Sequence, residues 1–192
     1  MATKPGERKL QILQTLAQML EKPSAEKITT AALAAKLDVS EAALYRHFAS
    51  KAQMFEGLIS FIEETIFGLV NKITAEQASG LAQIEAVLVM LLGFAKKNPG
   101  MTRVLIGDAL VNENERLQLR INQLHDRLEA TLKQSLRFAA TQKEIAEGVD
   151  TAAHANLLLS YVIGRWHQFA KSGFKRDPTE YWSEQWKQLV PA

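Results

Sequence analysis

The chain has 192 residues, no cysteine and a formal net charge of +2, with 47% hydrophobic and 23% charged residues. A chain of this length makes one large or two small domains, and it can bury roughly 70% of its unfolded surface without help from a metal or cross-link. A disulfide scaffold, a cysteine zinc site and a thiol nucleophile are excluded, and the composition is that of a globular chain suited to a reducing cytoplasm.

The opening "MATKPGERKL" is polar with no apolar run behind it, and reads as no secretory leader. Beyond it the pattern is apolar at i, i+3 and i+4, without strand-like alternation, and predicts an all-α chain of about nine helices. The first helix is expected over Glu7–Glu21, with Leu10, Leu13, Leu16 or Ala17, and Leu20 inward. "KPSAEK" breaks it. Thr29 then caps a short helix ending near Leu37, with Leu33 and Leu37 inward. After the turn "DVS", Ser40 caps a third helix over Glu41–Phe48 that buries Leu44 and Phe48. Ser50 caps a fourth, reaching about Ile73, and Gln53 completes an S-x-x-Q capping box. Further helices are expected near Leu81–Lys97, Met101–Val111, Glu113–Thr141, Thr151–Lys171 and Pro178–Val190. Their breaks are "ASG", "NPG", "EGVD" and "SGFKRDP". The longest apolar run, "AVLVMLLGFA", is about half a membrane span and reads as a buried helix.

Two short helices joined by a tight turn and braced by a third form a helix-turn-helix. The third helix is too short to stand alone. It leans on its neighbours through Leu44 and Phe48 and offers Glu41, Ala42, Tyr45 and Arg46 to a major groove. Ala42 and Ala43 permit close approach to base edges, while Thr29, Thr30, Tyr45, His47 and Lys51 are placed to hold phosphates. With the cap residue Ser40, these make the candidate DNA-binding set. Residues 1–55 carry eight Lys/Arg against five Asp/Glu, and the rest of the chain fifteen against sixteen. On charge and periodicity alone, a solvated helix-turn-helix that touches no DNA stays open.

The string "ITTAALAAKLDVSEAALYRHFASKAQMF" resembles the DNA-binding region of the TetR family of bacterial repressors. Leu33, Ala34, Val39, Ser40, Leu44, Tyr45, His47, Phe48, Ser50 and Lys51 fit that family's pattern. Asp38 stands where the family has a turn glycine, and Ala49 where it has a proline. The likeness continues through "LLGFAKKNPGMTRVLIGDAL", "ENERLQLRINQLHDRLEATLKQ" and "FKRDPTEYW". Members of the family ordinarily diverge there, and the chain is similar in these stretches to the branch that acts in nucleoid occlusion.

The resemblance implies a TetR-like fold, with a helix-turn-helix domain over 5–65 and a C-terminal helical dimerisation and partner-binding domain over 66–192. It implies a homodimer on palindromic chromosomal sites, located in the cytoplasm on the nucleoid. It further implies that the DNA-bound dimer takes the C-terminal tail of the tubulin-like division protein FtsZ and antagonises its polymers, keeping septa off the nucleoid. The positions matching the tail groove are Phe61, Met90, Gly93, Lys97 and Asn98. They combine an apolar floor, a glycine open to close approach, a cation and an amide. Lys97 and Leu69 stand where the branch carries arginines, so one charge keeps its sign but loses its bidentate fork, and one contact is removed. Taken singly, Phe61 and Met90 also suit a core.

In the helix from Thr151, the residues Ala153, Asn156, Ser160, Gly164 and His167 recur at steps of three and four, giving a small or polar stripe. Leu158, Tyr161, Val162 and Trp166 or Phe169 lie opposite. The stripe suits a dimer interface, or packing inside one subunit. The last helix is expected to start with Asp177 as cap, Pro178 first and Glu180 third, and to add Trp182, Trp186 and Leu189. No phosphate loop, dinucleotide fingerprint or nucleophile elbow is present, and His47, His125, His154 and His167 lack metal-ligand spacing. The chain is expected to be a non-enzyme with no cofactor and no metal. Two other readings compete: a repressor released by a small ligand among Met90, Phe94, Met101, Phe138, Trp166 and Phe169, residues that equally suit a core, and a helical interaction module without DNA binding.

Overall fold

A computed structural model of the chain describes residues 5–22, 28–111 and 113–190. Among the described residues there are nine helices and no strand. They are α1 (Pro5–Leu20), α2 (Thr30–Lys36), α3 (Glu41–Tyr45), α4 (Lys51–Glu76), α5 (Gly80–Lys97), α6 (Pro99–Leu105), α7 (Glu115–Thr141), α8 (Thr151–Lys171) and α9 (Trp182–Leu189), with a 3-10 turn over Asp108–Leu110. Of the expected break "KPSAEK", Pro23–Lys27 lie outside the described residues. The chain gathers into two compact units, one comprising Met1–Ile62 and Asn98–Ile121, the other Glu63–Lys97 and Asn122–Ala192.

The first unit is built around the short helices. From α1 it buries Ile12, Leu13, Leu16, Ala17 and Leu20. Leu10, expected inward, is 40% exposed. The buried stripe centres between Leu16 and Leu20, and at 100° per residue Leu10 lies roughly 90° from that centre, at the edge of the stripe. Leu33, Leu37, Leu44 and Phe48 are buried as expected, and so are Met54, Phe55, Leu58, Ile59 and Ile62 of α4. Helix α6 packs on α1 at Gly100, where an added Cβ would collide with the Ala17 carbonyl oxygen. Arg103 ties the two together, donating from Nη1 to the carbonyls of Leu20 (3.1 Å) and Lys22 (3.2 Å) and from Nε to Asp108 (2.7 Å). This helix ends well before the expected Val111 because Gly107 takes a left-handed conformation, φ 77°, and turns the chain into the 3-10 segment.

In the second unit α5 packs on α8. Trp166 is fully buried and its indole N–H donates to the Leu91 carbonyl at 3.1 Å. Asp150 caps α8, accepting from the N–H groups of Ala152 (2.9 Å) and Ala153 (3.1 Å). The last helix departs from expectation. Asp177–Tyr181 form a turn, and α9 starts only at Trp182. Asp177 Oδ1 does accept from Thr179 N (2.8 Å), as a cap does, but buried Arg165 of α8 captures the carbonyls that a helix would need. Its guanidinium donates to Asp177 O (2.8 Å), Pro178 O (3.1 Å) and Glu180 O (3.1 Å). Tyr181 then takes φ 63°, which interrupts any helix running through.

Candidate functional site

The helix-turn-helix is held by local capping. Thr29 Oγ1 accepts from Ala32 N at 3.1 Å, and Ser40 Oγ from Ala43 N at 3.2 Å. Asp38 supplies the left-handed turn residue at φ 54°, so the turn is made without glycine. Asparagine and aspartate tolerate this region better than other non-glycine residues. Helix α3 stops at Tyr45, short of the expected Phe48, with Arg46 at its C-terminal cap. At the head of α4, Ser50 Oγ accepts from Gln53 N (3.2 Å), while Gln53 Oε1 reaches Ala49 N (2.8 Å). The box thus closes one residue earlier than the S-x-x-Q pattern predicts.

The candidate DNA-facing residues divide by environment. Thr29, Ser40, Glu41, Ala42, Tyr45 and Arg46 are exposed, and Thr30, Ala43, His47 and Lys51 are half-buried. Three of them form a chain: Thr30 Oγ1 donates to Glu41 Oε2 at 2.5 Å, and the Tyr45 hydroxyl donates to Thr30 Oγ1 at 3.4 Å. Lys51 is not a free cation. Its ammonium pairs with Glu113 and lies 5.6 Å from the centre of the Phe55 ring. Sequence reasoning missed Glu113. It lies 62 positions away, and no local spacing could signal it.

Met90, Gly93 and Lys97 share one face of α5. Met90 and Gly93 are half-exposed and Lys97 is exposed, while the neighbouring Leu91, Leu92 and Phe94 are buried. A Cβ placed on Gly93 would meet nothing within 4 Å, so the backbone is open to solvent there. Lys96, next in sequence, pairs with Asp177 at 2.6 Å. That bond, with those from Thr179, holds the Asp177 carboxyl down at about 2. Phe61 and Asn98 belong to the other unit and are half-exposed. Neither Phe61 nor Met90 is a buried core residue.

The α8 stripe is exposed, and one member, Asn156, donates from Nδ2 to Glu129 Oε2 of α7 at 3.0 Å. Ala153, Asn156, Ser160, Gly164 and His167 are all exposed, and so is Leu157 at 51%. A Cβ on Gly164 would meet nothing within 4 Å. Packing of this stripe inside one subunit is therefore not what the chain does. The opposite face, with Leu158, Val162, Trp166 and Phe169, is core. Helix α9 flanks α8 rather than covering the stripe: Trp182 and Trp186 stack (5.5 Å between ring centroids), Tyr161 donates to Gln185 Oε1 (2.8 Å), and a ring nitrogen of His154 meets the Leu189 carbonyl (2.7 Å).

The residues considered for a ligand chamber are divided between the two units. Phe94, Trp166 and Phe169 are core of the second unit and Met101 is core of the first. Phe138 instead lines an open groove of about 610 Å³ with Val70, Asn71, Gln83, Gln134 and others. Among the described residues, no group of three His, Asp or Glu side chains is arranged to hold a metal, and no helix is long and apolar enough to cross a membrane.

A family model described as "Tetracyclin repressor-like, C-terminal domain" matches residues 78–191, and one described as "Bacterial regulatory proteins, tetR family" matches residues 12–58. The chain is 51% identical over 196 residues to a protein of Idiomarina loihiensis named nucleoid occlusion factor SlmA, covering 100% of both chains. It is 52% identical over 185 residues to the protein of that name from Alteromonas mediterranea, covering 96% of this chain and 95% of that one. Among solved structures it is similar to a TetR transcription regulator from Haloarcula marismortui. That match has a TM-score of 0.80 and 16% identity, and it covers 96% of this chain and 97% of the other.

Proposed function

The chain belongs to the TetR family of bacterial regulatory proteins, in its SlmA-like branch, and from that membership we propose that it is a nucleoid occlusion factor. It binds palindromic chromosomal sites as a dimer through α2 and α3, and while bound it takes the C-terminal tail of FtsZ and antagonises FtsZ polymers. It performs no chemistry of its own and acts in the cytoplasm on the nucleoid. The observation that carries this reading is the identity of about one half over essentially the whole length, C-terminal helices included, to proteins named for nucleoid occlusion.

The geometry supports each part. The α3 face presents exposed Glu41, Ala42, Tyr45 and Arg46, the side chains that a major groove would meet. The exposed stripe on α8 is a surface for a second copy, in which small residues let two helices approach and Asn156 or Ser160 reach across the axis. A two-fold dimer doubles the contacts on a palindrome, which one five-residue helix cannot supply alone. Of the positions matched to the tail, Met90, Gly93 and Lys97 lie on α5 of one unit, and Phe61 and Asn98 in the other. Half-exposed apolar groups there offer area to a peptide, the open backbone at Gly93 allows close approach, and Lys97 faces acidic groups as a point charge. Release by a small ligand has less support, because the residues that would line its chamber are core in two different units or face an open groove.

The test is a pull-down of FtsZ by the full-length protein, with and without a bound DNA duplex. We expect FtsZ to be retained most strongly with DNA, and Lys97→Ala and Phe61→Ala to lose FtsZ while keeping helicity and DNA affinity. Retention of FtsZ by both variants would remove the α5 face from the reading. No retention by the parent protein under either condition would end the division role.

A further inference from the structure

A recognition surface that carries a carboxylate toward a polyanion needs an explanation. Glu41 is exposed in the first turn of α3. Its Oε2 accepts from Thr30 Oγ1 at 2.5 Å, and Thr30 in turn accepts from the Tyr45 hydroxyl at 3.4 Å. The carboxylate is thus pinned from α2 before any DNA arrives. An ionised carboxylate only accepts hydrogen bonds, at up to four lone-pair positions, and Thr30 uses one of them. Toward phosphates it contributes repulsion, so whatever it gains from DNA must come from the bases.

The major-groove edges narrow the choice. Guanine shows two acceptors there, and thymine an acceptor and a methyl group. Adenine shows a donor beside the N7 acceptor, which would oppose a carboxylate lone pair. Cytosine shows its N4 amino group as a donor without that neighbour. Ala42 and Ala43 beside Glu41 leave room for the close approach such a bond needs. We propose that Glu41 reads cytosine through its N4 amino group, and that Thr30 and Tyr45 are positioning residues that hold the carboxylate in place for it. The inference rests on the DNA-binding reading above and adds the base, the atom and the residues that orient the reader. It also assigns the negative charge a second effect: Glu41 weakens binding to every sequence that offers it no donor, which widens the gap between specific and non-specific sites.

The experiment uses the full-length protein. Selection from a duplex library with randomised palindromic half-sites defines the preferred duplex. The parent protein, Glu41→Ala, Thr30→Val and Thr30→Ser are then titrated against three probes. These are the selected duplex, duplexes in which each half-site cytosine in turn is replaced by 2-pyrimidinone, which lacks the N4 amino group, and a scrambled duplex. At one half-site cytosine the parent should lose about tenfold in affinity per half-site. Glu41→Ala should lose twofold or less at that position and bind the scrambled duplex more tightly than the parent does. Thr30→Val should fall between the two, and Thr30→Ser should restore the parent's discrimination. A selected site without a sensitive cytosine, or equal sensitivity in the parent and Glu41→Ala, overturns the assignment while leaving DNA binding intact. Should the parent bind no duplex at all, the DNA-binding reading falls and this inference falls with it. Tight binding to the scrambled duplex shows that Glu41→Ala is folded, and Glu41→Gln, which keeps an acceptor oxygen without the charge, should retain part of the cytosine discrimination.

Discussion

Replacing Glu113 by glutamine should tighten DNA binding, although Glu113 lies outside the helix-turn-helix. In the free protein Glu113 holds the Lys51 ammonium, with the two side chains 21% and 12% exposed. A fully exposed pair contributes about 0.2–1 kcal/mol, and stripping one partner from a fully buried pair costs about 3–5 kcal/mol. This pair lies nearer the first case after discounting for its exposure, at about 1 kcal/mol. If a phosphate takes Lys51, that interaction is given up once per subunit. Relieving it strengthens binding about fivefold per subunit, and about thirtyfold for a dimer. Glu113→Gln should show that gain on a non-specific duplex by fluorescence anisotropy at low salt. Lys51→Ala should weaken all duplexes and lower the salt slope by about one unit per subunit. The two changes share one partner, so they should not add: on a Lys51→Ala background, Glu113→Gln should change little. An undiminished thirtyfold gain on that background would refute the competition and leave only general repulsion by Glu113. No change in either single variant would remove Lys51 from the DNA contacts.

Gly164→Leu should give a folded, helical monomer with poor DNA affinity, because the new side chain has open space within the subunit but obstructs a close crossing of two α8 helices; sedimentation as a normal dimer would rule this helix out as the interface. For Asp177, the bonds from Lys96 and Thr179 hold the carboxyl at about 2, below its unfolded value near 3.9. The resulting stability is present above about pH 4 and is lost as pH falls toward about 2. The melting temperature of the parent should therefore drop more steeply over that window than that of Asp177→Asn. The difference should be modest, under about 1 kcal/mol, since the side chain is 37% exposed. Parallel curves would show that the pair adds nothing.

What the sequence made legible was local. Thr29 and Ser40 cap where their positions ahead of apolar runs suggest, and α5, α7 and α8 fall within two residues of their expected ends. What stayed hidden was decided across long separations. The "DPTE" start looks like a helix entry on every local rule, yet Arg165 from α8 holds three of its carbonyls and keeps it a turn. The Lys51–Glu113 pair and the grip of Arg103 on the end of α1 join residues dozens of positions apart. The candidate site was legible where side chains are read singly, as at Arg46 or Gly164. It was not legible where a partner changes what a side chain is free to do, as at Lys51.

The seating of α6 on α1 has a consequence for synthesis. The unit that holds the helix-turn-helix is interrupted at Ile62 and resumes only at Asn98, closing at Ile121. Gly100 and Arg103 are therefore translated roughly forty residues after Ile62, a delay of about 2–8 s at about 5–20 residues per second. Until then the α1 surface under Gly100 and the carbonyls that Arg103 will take have only solvent or a chaperone to meet. The nascent chain thus carries an unfinished DNA-binding module past the ribosome exit. It gains its shape, and with it the ability to leave the ribosome for the chromosome, only after α5 and α6 have followed.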